Sequence, residues 1–282
     1  MNRSFLIFPS YRSDFIIKAI NSKSDYIIFD LEDSVAADLK NKARKNIKKF
    51  LSIKNKTFVR LSDQNSKSII ADIKSSQFSN LIGYVIPKVN SSKDLKFFIK
   101  LIKKYSKTKD FKIILLVENM QAILNLKEIV EKNKKYIFGL MFGHEDFASN
   151  LFKYFNENEK IYDFYKSQIL LISKSYDLIA IDTPTLEFKN IKIMKKYYKN
   201  SFKLGFDGAL LIHPNQIESA NNSFSVMKND YQKALELLKK SKKKDSIYMM
   251  KDEFIGPPLL RRAQYIVKSY EISKNIKKRN IQ

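Results

Sequence analysis

Eight short apolar runs alternate with segments of helical periodicity along this chain of 282 residues, and that alternation constrains the fold more than any other feature. Strands are predicted over 5–9, 26–31, 57–61, 83–87, 112–117, 137–142, 178–181 and 208–212, where β-branched and aromatic residues cluster between turn residues. Helical spacing is read over 12–20, 37–51, 69–73, 93–105, 122–131, 161–175 and 191–202. Gly205 and Gly208 mark turns or strand entries, and Pro87, Pro184 and Pro214 mark strand exits. Eight strand-helix units in a chain near the usual barrel length of about 250 residues favour an α/β class fold, a single closed (β/α)8 TIM barrel, over an open sheet. Two further helices, over 229–244 and 259–272, exceed what a barrel needs. The expected division is a barrel over 1–228 and a C-terminal helical extension over 229–282. That extension can pack underneath, cover the mouth or reach a neighbouring subunit.

Composition excludes several classes. There is no cysteine, which removes disulfides, thiolate metal sites and thiol nucleophiles. Two histidines supply a zinc site of the usual type poorly. The formal charge of +24 raises nucleic-acid binding, because lysine-rich surfaces release counterions on phosphates. Lysine is spread over nearly every predicted helix, however, and even the densest run, 239–244, reads as a solvated face. No nucleic-acid partner is expected, although the field suits an anionic ligand. Pro9 breaks the first apolar run, so neither a signal peptide nor a spanning helix is evident. The expectation is no membrane partner and a cytoplasmic location.

Charged residues stand at the ends of four of the apolar runs: Glu32 and Asp33 after the second, Arg60 after the third, Glu118 after the fifth and Asp146 after the sixth. A parallel barrel gathers strand ends at its carboxyl-terminal mouth, where catalytic groups sit. Glu118 and Asp146, on adjacent strands, suit a hard divalent cation through oxygen, with Mg²⁺ the natural choice. By spacing alone each carboxylate can equally cap the helix that follows. Arg60 can hold a carboxylate in a bidentate fork, against the commoner fate of a surface ion pair. His213, beside Pro214 at the end of the eighth run, has the side chain of a general base.

Five ordered segments resemble the citrate lyase β-subunit-like proteins of the HpcH/HpaI aldolase superfamily. Asp30-Leu31-Glu32-Asp33-Ser34-Val35 is similar to an acidic segment of that family, Val59-Arg60 to its arginine strand and Pro87-Lys88-Val89 to its proline-lysine turn. Phe142-Gly143-His144-Glu145-Asp146 and Gly205-Phe206-Asp207-Gly208 with Ile212-His213-Pro214-Asn215-Gln216 complete the set, in order and at similar spacing. The resemblance implies a Mg²⁺-dependent carbon-carbon lyase acting on a β-hydroxyacyl-CoA such as malyl-, citramalyl- or citryl-CoA. It implies an acyl-CoA thioester and an α-keto acid as partners, and a homo-oligomer, trimer or hexamer. Carried over residue by residue, Glu118 and Asp146 bind the metal, Arg60 binds a substrate carboxylate, and Glu32 and Asp33 lie just outside the metal. Arg12 and Lys18 match basic positions that contact CoA, with surface solvation the alternative for both. His213 and Pro214 match a wall of the substrate site, which favours positioning over proton transfer.

Two departures stand out. Glu118-Asn119-Met120-Gln121-Ala122 keeps the glutamate but lacks the arginine and glycine common in the family after it. Gly256 stands where lyase and thioesterase members carry a lid aspartate, leaving Asp252 or Glu253 as substitutes if the lid is shifted. An acyl-CoA thioesterase on the same site, and a catalytically poor metal-binding homologue, are therefore the rival readings.

Overall fold

The computed structural model describes residues 1–50, 56–78, 80–151, 159–241, 248–250 and 253–274. Eight strands, β1 (Ser4–Pro9), β2 (Tyr26–Asp30), β3 (Thr57–Arg60), β4 (Leu81–Ile86), β5 (Lys112–Val117), β6 (Ile137–Phe142), β7 (Ile179–Asp182) and β8 (Gly208–Leu211), pair in sequence order. Every pairing is parallel, and β8 returns to β1, so the sheet is a closed barrel with no free edge. The helices are α1 (Ser13–Ile20), α2 (Lys40–Lys49), α3 (Ile69–Ser75), α4 (Ser92–Tyr105), α5 (Met120–Asn133), α6 (His144–Leu151), α7 (Glu159–Ser175), α8 (Ile191–Leu204) and α9 (Gln216–Ser223).

Strand periodicity fills the barrel and then builds its mouth. Successive side chains of a strand point to opposite faces, and one face of each strand supplies the interior. Phe5, Tyr26, Ile28, Phe58, Val85, Ile114, Leu116, Met141, Ile181 and Leu210 form a single buried cluster to which all eight strands contribute. Two residues further along the same face come Asp30 after Ile28, Arg60 after Phe58 and Glu118 after Leu116. Polar groups thus replace the apolar layer at the carboxyl ends of β2, β3 and β5.

The helices follow from the same local rules. In α4, Ser91 accepts from the Asp94 amide as N-cap, and Leu95, Phe98, Ile99 and Ile102 make one buried stripe. Phe98 is fully buried, and its truncation to alanine costs about 3–5 kcal/mol in such settings. Helix α8 stops at Gly205, whose φ of 116° puts it in the left-handed region that glycine enters without steric cost. Sequence spacing left out α6 and α9, each eight residues long. Among the described residues no helix is long and apolar enough to cross a membrane.

Contacts divide the chain into two compact units, Asn2–Ser223 and a second that begins at Phe224. The second contains α10 (Lys228–Ser241), an antiparallel hairpin of β9 (Tyr248–Met250) and β10 (Glu253–Ile255), and α11 (Pro257–Ser273). Ala234, Leu237, Leu238, Ile255, Ala263 and Val267 form its core, and Tyr231 stacks on Tyr270 at 4.2 Å. Gly256 is the N-cap of α11, with extended backbone (φ −138°, ψ 176°) and no side chain to cap the helix. Any residue adopts that conformation, and aspartate caps better than glycine. Gly256→Asp is therefore expected to stabilise the protein by a few tenths of a kcal/mol, about 0.3, in urea unfolding; a destabilised variant would contradict the cap assignment. Asp252 lies outside the described residues.

Candidate active site

A cavity of about 520 Å³ is lined by Lys88, Asn90, Glu118, Asn119, Met120, Gln121 and Asp146. It brings together two carboxylates 28 positions apart in sequence, Glu118 at the end of β5 and Asp146 in the first turn of α6. The helix-cap alternative for Glu118 fails, because the neighbouring Asn119 caps α5 by accepting from the Ala122 amide at 2.8 Å. Glu118 is 2% exposed. Its Oε1 accepts from the Lys88 amide at 2.7 Å, whereas its Oε2 is buried with no hydrogen-bond partner among the described residues. A Cβ at Gly143 would fall 2.7 Å from the Glu118 Cβ, so only glycine leaves this carboxylate its room.

Burial, with the nearby charges of Asp146 and Glu32 added, pushes the Glu118 carboxyl up to about 8. A buried carboxylate oxygen without a donor, beside a second carboxylate, is the electrostatic opposite of a satisfied pair. A cation supplies what is missing. The oxygen-only donor set suits Mg²⁺, which keeps several positions for water and substrate and needs one or two carboxylates from the protein. Among the described residues no group of three or more His, Asp or Glu is arranged to enclose a metal.

Arg60 is no surface ion pair. Its Nε and Nη2 donate to Asp30 at 2.7 and 2.6 Å, a bidentate fork onto a carboxylate with 0% exposure. Its Nη1 stands 3.4 Å from Glu32 and 3.9 Å from Asp33. Burial alone would raise Asp30, but Arg60 together with the hydroxyl of Ser34 holds it below the usual range. Burial likewise opposes the Arg60 charge, and the acids around it reverse that, Asp30 foremost. Glu32 is raised by burial and by the adjoining Asp33, while Arg60 and Lys88 act against the rise. Sequence reasoning placed Arg60 and the acidic pair but missed Asp30. The signal was available in the period of β2, which puts Asp30 on the same face as Tyr26 and Ile28.

Of the expected positions only Glu118 and Asp146 line the cavity; Glu32 and Asp33 adjoin it through the Lys88 ammonium, with Arg60 beside them, and the others lie elsewhere. His213 and Pro214 occupy the turn between β8 and α9 and do not line the cavity. The His213 Nδ1 accepts from the Asn215 amide at 3.1 Å, and its ring stacks on Phe188 at 4.7 Å. Arg12 is the N-cap residue of α1, paired with Asp14 at 2.8 Å and lying over Phe15 at 4.2 Å. Lys18 is in the last turn of the same helix, about 9 Å further along the axis, away from the end that follows β1.

Residues 3–214 match the model of the HpcH/HpaI aldolase/citrate lyase family. The chain belongs to that family. Among its relatives, the mitochondrial citramalyl-CoA lyase of Rattus norvegicus is 25% identical, covering 94% of this chain and 85% of that protein. A (3S)-malyl-CoA thioesterase of Cereibacter sphaeroides is 29% identical over 79% of this chain and 77% of its own length. The structure of CitE from Mycobacterium tuberculosis in complex with magnesium, acetoacetate and coenzyme A has a TM-score of 0.81 at 21% identity, covering 95% of this chain and 98% of that one. The family match thus spans the barrel, and the fold of that structure is shared along nearly the whole chain.

Proposed function

We propose that this HpcH/HpaI family member is a Mg²⁺-dependent carbon-carbon lyase that splits a β-hydroxyacyl-CoA, of the malyl-, citramalyl- or citryl-CoA type, into an acyl-CoA and an α-keto acid. The observation that carries the reading is the unpartnered Glu118 Oε2 beside Asp146 at the wall of a substrate-sized cavity. Glu118 and Asp146 are the assigned metal ligands. When bound, the metal stabilises negative charge on the oxygen that becomes the keto-acid carbonyl.

In the cleavage the substrate hydroxyl gives up its proton, its carbon-oxygen bond becomes a carbonyl, and the bond to the α-carbon of the thioester breaks. The electron pair passes to that α-carbon, which takes up a proton to give the acyl-CoA. Arg60 is assigned to a substrate carboxylate through the donors that Asp30 leaves: Asp30 takes one hydrogen from Nε and one from Nη2, Nη1 stands 3.4 Å from Glu32, and a guanidinium has five donors in all. Glu32 and Asp33 are assigned to orienting water at the rim of the site, as groups just outside a metal do. His213 and Pro214, in the β8–α9 turn outside the cavity lining, are assigned by the resemblance alone to a wall against the bound substrate, and Arg12 and Lys18 to the CoA end.

Hydrolysis of the thioester on the same site is the second reading, favoured by the thioesterase among the relatives. The products separate the two: a lyase yields acyl-CoA and a keto acid, a thioesterase yields free CoA and the intact hydroxy acid.

The raised Glu118 carboxyl gives a pH test. Its folded value lies above its unfolded value, so the metal-free protein binds a proton there until pH passes about 8, and a cation must displace it. Mg²⁺ affinity measured by calorimetry is expected to tighten by up to about tenfold per pH unit as that value is approached, with proton release, and to level off above it. Affinity independent of pH, with no proton released, would remove Glu118 from the ligand set.

A further inference from the structure

Lys88 joins the two acidic groups of the site, and it does so in an unusual backbone conformation. Its φ of 55° is left-handed, which non-glycine residues rarely adopt; Asp177 is the other non-glycine case among the described residues. Residues held in such regions cluster where the surroundings fix them for a purpose. Here the conformation has two visible consequences. The Lys88 amide points at Glu118 and donates to its Oε1 at 2.7 Å, leaving Oε2 as the unpartnered atom. The side chain leaves in another direction, and its Nζ donates to Glu32 Oε1 at 2.6 Å and to Asp33 Oδ1 at 3.1 Å.

We infer that Lys88 is a positioning residue with two separable parts: its amide sets the Glu118 carboxylate, and its ammonium holds the Glu32 and Asp33 pair beside the cavity that Lys88 itself lines. The inference rests on the lyase reading for its kinetic consequence only. The Glu32 side chain is 3% exposed, and Arg60 reaches it only at 3.4 Å, so Lys88 is the closer compensating charge. Without that ammonium, a buried carboxylate and its acidic neighbour repel each other and leave their places. The amide needs no side chain. Any residue that tolerates the left-handed conformation presents the same N–H, and glycine and asparagine tolerate it best.

Lys88→Gly and Lys88→Asn therefore remove the ammonium and keep the amide, while Lys88→Arg keeps a cation of similar reach. With citramalyl-CoA as substrate, both uncharged variants are expected to lose about 10- to 100-fold in kcat, the usual cost of removing a support outside the metal. Their Mg²⁺ Kd, by calorimetry, and their KM should stay close to wild type, because the amide that sets Glu118 is retained, and Lys88→Arg should recover most of kcat. A merely structural lysine would lower thermal stability and move all these quantities together. Unchanged kcat in both variants, or Mg²⁺ affinity lost in step with kcat, overturns the inference. Crystal structures of wild type and Lys88→Gly decide the matter even if wild type turns over no CoA ester, in which case the lyase reading fails by itself. Glu118 in place with Glu32 and Asp33 displaced supports the two-part role; an undisturbed acidic pair overturns it.

Discussion

Glu118→Gln and Asp146→Asn will each abolish stabilisation of the protein by Mg²⁺ and lower turnover by about 10³-fold or more. The size follows from several kcal/mol of charge stabilisation at the reacting oxygen, at about 1.4 kcal/mol for each factor of ten. Neither change alters side-chain volume, and glutamine at 118 imitates the protonated carboxyl that burial and Asp146 favour. The folded state without metal should therefore survive, and Glu118→Gln should if anything stabilise it above the unfolded value of 4.5, where the unfolded chain sheds the proton that the folded wild type keeps, by an amount that grows until pH passes about 8. A ligand at about one hundred times its Kd stabilises by about 2.7 kcal/mol, which for a domain of this size is several degrees, about 5–10 °C. Thermal unfolding with and without Mg²⁺ reads this directly. Wild type should shift and both variants should not; an undiminished shift in both would place the metal elsewhere.

Arg60→Ala will cost both stability and activity, and the two losses can be separated. Removing the guanidinium leaves Asp30, with 0% exposure, without the fork that holds it. Breaking a buried pair in this way costs about 3–5 kcal/mol. The sign with pH is fixed by Asp30. Its folded value is lowered, so it contributes stability above its unfolded value of 3.8 that is lost as pH falls through the folded value. Arg60→Ala reverses that shift, and the deficit of the variant should shrink as the solution is acidified and Asp30 takes up a proton. Pairing Arg60→Met with Asp30→Leu replaces the ion pair by apolar volume, which is often neutral for stability. That double variant should recover much of the unfolding free energy while turnover stays low, because no guanidinium donor remains for the substrate carboxylate. Recovery of both would remove Arg60 from substrate binding and leave it a structural partner of Asp30. Arg60→Lys should lie between, keeping a charge without the planar geometry.

The barrel was legible because its strands are continuous apolar runs. Those of β5 and β6 begin and end at the residues where periodicity places them, since a run buried on both faces leaves no ambiguity at its ends. The short helices were not legible. Helix α6 carries one fully buried aromatic, Phe147, between polar residues, and two turns with one anchor show no period. Asp146 consequently sits on a helix rather than at a strand end. The hairpin of β9 and β10 has strands of three residues, too short for alternation to register. Among site residues, Glu118 stood out because a carboxylate after five apolar residues breaks the pattern, whereas Asp30 is hidden as the last residue of its strand. Nothing in Pro87-Lys88-Val89 announces a left-handed lysine. Its conformation is imposed by contacts across the mouth with Glu32, Asp33 and Glu118, which lie 30 or more positions away.

The most direct test of the lyase reading is product analysis of the purified protein incubated with citramalyl-CoA, with Mg²⁺ and with a chelator. Acetyl-CoA and pyruvate appearing in equal amounts with Mg²⁺, and neither appearing with the chelator, is the predicted result. Free CoA with intact citramalate would make the protein a thioesterase, and no turnover of citramalyl-, malyl- or citryl-CoA under either condition would contradict the assignment of this site to carbon-carbon cleavage.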